Sequence, residues 1–95
     1  TIKVKFNDIL FIEGLGDYIK IHLAEERIIT NLSMKKMFNL LPKNSFFRTH
    51  KSYIISLDKI DLIEGNRVNI NKHKIPIGNN YRQEFLQFIN SHLAD

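Results

Sequence analysis

The chain has 95 residues, 43% hydrophobic and 25% charged, which suits one ordinary globular domain and excludes a second domain or extended disorder. It contains no cysteine, which excludes a disulfide framework and any thiolate metal site and fits a reducing cytoplasm. Its net charge of +4 is uneven, with ten Lys/Arg against three Asp/Glu in residues 34–82 and slightly acidic flanks, and such a one-sided basic field attracts polyanions.

Ile2, Val4 and Phe6 alternate with Lys3 and Lys5, the period-two mark of a half-buried strand. The sequence opens at Thr1 with no leader-like segment, as expected of a piece of a longer protein. Ile9–Glu13 reads as a second, more deeply buried strand, and its apolar run is far too short to span a membrane. Gly14-Leu15-Gly16-Asp17 reads as a loop. Ile19, Ile21 and Leu23 alternate with Tyr18, Lys20 and His22, and Glu25-Glu26 turns this strand into a partner over Arg27–Thr30.

The period then changes. Met34, Met37, Phe38 and Leu41 share one face of a short helix that Asn31 or Ser33 caps and Pro42 follows. Phe46–His50 and Ser52–Ser56 are strand-like, interrupted at Thr49–Lys51. Ile60–Glu64 and Arg67–Asn71 flank a Gly65-Asn66 hairpin turn, and Lys72-His73 turns the chain into an edge strand, Lys74–Ile77, that contains Pro76. Tyr81, Phe85, Phe88, Ile89 and Leu93 mark a closing amphipathic helix capped by Asn79 or Asn80. The expected fold is mainly β: a compact domain of many short antiparallel strands with one short internal helix and a C-terminal helix. Ile19, Ile21, Ile54, Phe85 and Phe88 are expected in its core.

Several chemistries find no support. Gly14-Leu15-Gly16 is followed by a strand, whereas a phosphate-binding glycine loop needs a helix N-terminus there. His22, His50, His73 and His92 are scattered without metal-ligand spacing, so no metal or other cofactor is expected. Ser52 lies near His50 in sequence, but no oxyanion loop accompanies them, and an enzyme is not expected.

Two clusters suit nucleic acid. Arg48, Thr49, His50, Lys51 and Ser52 gather donors and cations between apolar stretches with no acid among them. Residues 66–82 hold four positive charges, none negative, and five asparagines. Asparagine offers the donor and acceptor that adenine's major-groove edge requires. Asn79 and Asn80 fall beside Lys74 and Arg82 at a helix start, a good phosphate seat.

The segment Phe46-Phe47-Arg48-Thr49-His50-Lys51-Ser52-Tyr53-Ile54-Ile55 resembles the central signature of the LytTR DNA-binding domains. Asp8–Glu13, Asp17–Ile21, Lys74–Gly78 and Tyr81-Arg82 also look like that family, in its order and spacing. Ser56 and Gly78 depart from it, since the family often has Asn and Ser there. The resemblance implies a single LytTR-type domain over residues 1–95, cut from a transcription regulator of a bacterial two-component system with an N-terminal receiver domain. It implies loops that enter successive major grooves of repeated half-sites. Carried over by position, the DNA-contacting residues fall at Asp17, Lys51 and Asn80, with His50, Arg48 and Arg82 beside them. An acid at Asp17 is suited only to accept a hydrogen bond, as from cytosine. The isolated domain is expected to be monomeric and cytoplasmic, with double-stranded DNA as partner and no membrane. Two other readings remain open: a small β-barrel stacking single-stranded bases on Tyr18, Tyr53 or Tyr81, and a protein-interaction module using a strand edge.

Overall fold

The structure is a computed structural model and describes residues 3–93. Ile2 of the expected first strand lies outside the described residues, as does the side chain of Leu93. Residues 3–5 form no strand, and Phe6–Asp8 is a 3-10 turn closed by Asp8 N–H to the Lys5 carbonyl at 3.0 Å. The alternation at Val4 therefore marks packing and not pairing. Val4 lies against the core, while Phe6 stays exposed.

Five strands build the larger sheet: β1 (Phe11–Leu15), β2 (Tyr18–His22), β3 (Arg27–Thr30), β4 (Phe46–His50) and β5 (Tyr53–Ser56). Their order is β3-β2-β1-β5-β4, antiparallel throughout. β6 (Leu62–Glu64), β7 (Arg67–Ile70) and β8 (His73–Pro76) form a second antiparallel sheet in sequence order. Between β3 and β4 lies the helix α1 (Met34–Leu40), whose first turn is capped by Ser33 Oγ accepting from Lys36 N–H at 3.1 Å. The chain closes with α2 (Arg82–Leu93).

β1 and β5 lie inside the larger sheet and are buried on both faces, so adjacent residues point into different cores. Ile12, Ile19, Ile21 and Ile54 face α1, where Met37 and Leu41 cover them. Phe11 and Ile55 face the smaller sheet and α2, packing with Val68, Ile70, Ile75, Phe85 and Ile89. Of the expected core, Ile19, Ile21, Ile54 and Phe85 are buried. Phe88 is only half-buried: it sits at the rim of α2 against Phe47, ring centroids 5.0 Å apart, with His92 on its other side.

The turns are tighter than the sequence suggests. Gly14 and Leu15 belong to β1, and only Gly16-Asp17 separates the Leu15–Tyr18 pair, with Gly16 at φ +67°. Asn71 and Lys72, not Lys72 and His73, turn β7 into β8, at φ +47° and +72°. Positive φ at both central residues matches the twist of a two-residue hairpin. Asn79 and Asn80 do not cap α2, because they lie with Tyr81 inside a 3-10 turn that Gly78 begins.

Candidate nucleic-acid interface

A β-bulge shapes the central segment. Arg48 pairs with Ile54 and His50 with Tyr53, so Thr49 is the extra residue, fully buried. Directly paired residues share a face. Arg48 therefore lies on the face that α1 covers, and His50 on the face of the smaller sheet and α2. Lys51 and Ser52 form the turn that follows, and Lys51 is exposed.

Short bonds hold this turn. Ser52 N–H donates to His50 Nδ1 at 3.1 Å. The Ser52 carbonyl accepts from Gly14 N–H at 2.8 Å, and Arg48 Nη2 donates to the Lys51 carbonyl. A Cβ on Gly14 would stand 3.1 Å from Met34 Cγ and 3.6 Å from Ser52 Cα, so β1, the start of α1 and the Lys51 turn pack closely there. Arg48 Nε and Thr49 Oγ1 are buried without a hydrogen-bond partner.

The Asn79–Tyr81 turn docks on the same end of β4, where Gly78 N–H donates to the Thr49 carbonyl at 2.7 Å. Between the two turns lies an open cleft of about 490 Å³, lined by His50, Lys51, Gly78, Asn79, Asn80 and Tyr81. Two separate sequence segments (50–51 and 78–81) thus become one surface. A second cleft of about 390 Å³ is lined by Gly16, Asp17, Asn31, Leu32, Ser33 and Lys36. Asp17 is exposed there, apart from the cleft that holds Lys51 and Asn80. Lys74 is exposed on β8 and lines neither cleft. Arg82 is half-buried, its Nη1 held by Asn66 Oδ1 at 2.7 Å and by the Gly65 carbonyl at 3.1 Å.

Behind the central turn is a polar network that the sequence reading missed. Glu13 Oε1 meets His22 Nε2 at 3.1 Å, and the Tyr53 hydroxyl donates to Glu13 Oε2 at 3.3 Å. Burial lowers the His22 pKa below 6.5, against the opposing pull of Glu13. Burial also raises the Tyr53 pKa, with the Glu13 charge adding to it. The signal is in the hairpin register: once Gly16-Asp17 is the turn, Phe11 pairs with His22 and Glu13 with Lys20, which sets Glu13 diagonal to His22. Among the described residues the one acid–base side-chain contact at ion-pair distance is Glu13–His22, whose ring burial favours in its neutral form, so no carboxylate offsets Lys51, Lys74, Arg48 or Arg82 at close range.

The single-stranded β-barrel reading loses ground. The larger sheet is open, with β3 and β4 as edges, and is not a barrel. Of the three tyrosines only Tyr18 is exposed, because Tyr53 is tied to Glu13 and Tyr81 is half-buried against Gly78. Among the described residues no helix is long and apolar enough to cross a membrane, and no group of three or more His, Cys, Asp or Glu could hold a metal ion.

An open antiparallel sheet thus carries a smaller sheet and a terminal helix on one face and presents uncompensated cations and amides on turns at one end. Residues 1–90 match the LytTr DNA-binding domain family, and the chain belongs to it. The chain is 30% identical over 63 residues to the transcriptional regulatory protein YpdB of Escherichia coli O6:H1. That match covers 66% of this chain but only 26% of YpdB, so the chain spans about a quarter of that relative's length. The fold is that of a solved LytTr DNA-binding domain from a putative methyl-accepting/DNA response regulator of Bacillus cereus: TM-score 0.86, 23% identity, covering 93% of this chain and 86% of the other.

Proposed function

We propose that this domain reads double-stranded promoter DNA by inserting its turns into the major groove, as the output part of a two-component response regulator. The observation that carries the reading is the cleft where Lys51 and Asn80 converge, both exposed and with no carboxylate lining it. Lys51 supplies a cation suited to a guanine edge, and Asn79 and Asn80 supply amides suited to adenine. His50 and Ser52 add polar groups at the same turn, Lys74 is a further exposed cation on β8, and Arg48 and Arg82 bond to the Lys51 and Gly65 carbonyls. Asp17, on the neighbouring turn, accepts from an exposed cytosine amino group where it reaches a base.

The names of the similar proteins support regulation of transcription, and the family match to a DNA-binding domain supports binding over catalysis. A receiver domain elsewhere in the full protein brings two copies to repeated half-sites in the cytoplasm. The isolated domain is a monomer that holds a single half-site weakly, because tethering two modules is what raises affinity without new contacts. Selection of bound sequences from a random duplex pool, followed by salt titration of the winner, tests the reading. A winning motif with steep salt dependence supports it, and binding that ignores both sequence and salt overturns it.

A further inference from the structure

Both arginines beside the cleft spend donors inside the protein. Arg48 Nη2 donates to the Lys51 carbonyl, and its Nε is buried, so this side of the guanidinium is turned into the protein. Arg82 Nη1 grips the Gly65 carbonyl and Asn66 Oδ1. The Asn66 carbonyl in turn accepts Ile77 N–H at 2.7 Å. The Gly65-Asn66 turn therefore holds the chain at residue 77 and again at residue 82, on both sides of Asn79 and Asn80. The planar guanidinium fork suits such a task, since little freedom is lost for each bond it forms. A turn already held in shape also needs less ordering when a ligand arrives.

We infer that Arg48 and Arg82 are positioning residues, which fix the turns carrying Lys51 and Asn80 and make no phosphate contact themselves. This rests on the cleft being the DNA surface, and it gives the two arginines a different task from an exposed lysine. Their effect on DNA must then pass through Lys51 and Asn80 respectively.

A double-mutant cycle on the duplex selected by the wild-type chain tests it. Arg48→Ala should weaken binding roughly tenfold when Lys51 is present and change little in a Lys51→Ala background, because the two act as one unit. The salt slope should be the same for Arg48→Ala and Arg82→Ala as for the wild type. Arg48→Lys, which keeps the charge and loses the fork, should not restore affinity. Asn66→Ala removes no charge and sits in an exposed turn, so it serves even if an arginine variant fails to fold. It should copy the loss of base preference caused by Arg82→Ala at the position Asn80 reads. Additive losses, a slope lower by about one for each arginine, or full restoration by Arg48→Lys would overturn the inference while leaving the DNA reading intact. A wild-type chain that selects no duplex would overturn both.

Discussion

Gly78 gives its N–H to the carbonyl of Thr49 at 2.7 Å, joining the turn that carries Asn79 and Asn80 to the bulge that precedes Lys51. The bond crosses between segments 29 residues apart in sequence (78 − 49). It makes the separation of the Lys51 and Asn80 side chains a property of the fold. The fit is close, since a Cβ on Gly78 would stand 3.1 Å from Tyr81 Cδ2 and 3.5 Å from His50 Cδ2.

That pairing makes Lys51 and Asn80 separable by salt. Asn80→Ala should leave the slope of log affinity against log salt unchanged and relax base preference at one position. Lys51→Ala should cost roughly 1–3 kcal/mol on sequences with its guanine and little on others. If Lys51 instead meets phosphate, all duplexes should weaken together and the slope should fall by about one. Unchanged affinity and specificity in the double variant would remove both residues from the interface.

Association should depend on what is joined to the domain. Sedimentation of the isolated chain should show a monomer at micromolar concentration, and a tight dimer would contradict the two-site scheme.

Phe85 is fully buried where α2 meets the smaller sheet, with its ring centroid 5.4 Å from that of Phe47. Phe85→Ala should lower stability by roughly 3–5 kcal/mol in denaturant unfolding. Phe88→Ala, at the half-buried rim, should cost distinctly less. Equal losses would mean that α2 packs by a different face.

Acid should destabilise the domain through His22. Its pKa in the folded chain lies below 6.5, with burial the main cause, so the unfolded chain binds the proton more readily. The contribution of the neutral ring is whole above 6.5 and is lost as pH falls from there towards the folded value. His22→Phe, which keeps a ring stacked on Phe11, should flatten the melting temperature between about pH 5 and 7.5 relative to wild type. Parallel curves for the two proteins would refute this.

Lys72 holds φ +72° in the β7–β8 turn, a region that disfavours side chains with a Cβ. Lys72→Gly should relieve that conformation, partly offset by the greater freedom of glycine in the unfolded chain, for a net gain of about 0.5 kcal/mol. A clear loss of stability in a melt would show that the lysine side chain stabilises the turn in some other way.

Much of the fold is legible because its periods are unambiguous. Alternation at Ile19 and Ile21 gives β2, the spacing of Met34, Met37, Phe38 and Leu41 gives α1, and Gly65-Asn66 gives a hairpin. The misses share one cause, which is that local pattern does not reveal partners. Ile2, Val4 and Phe6 alternate like a strand, yet both sides of β1 are taken by β2 and β5, and residues 3–6 remain unpaired. Asn79 and Asn80 have the composition of a helix cap, but docking on Thr49 draws them into a 3-10 turn instead. Lys51 and Asn80 are each recognisable by type, while their common cleft exists only through the bulge and Gly78.

The bulge at Thr49 has a protective side as well. β4 is an outer strand, and a straight outer strand offers its free amides and carbonyls to any passing chain. Here the ladder is broken at Thr49, whose carbonyl is already occupied by Gly78, so this end of the β4 edge is a poor template for a foreign strand.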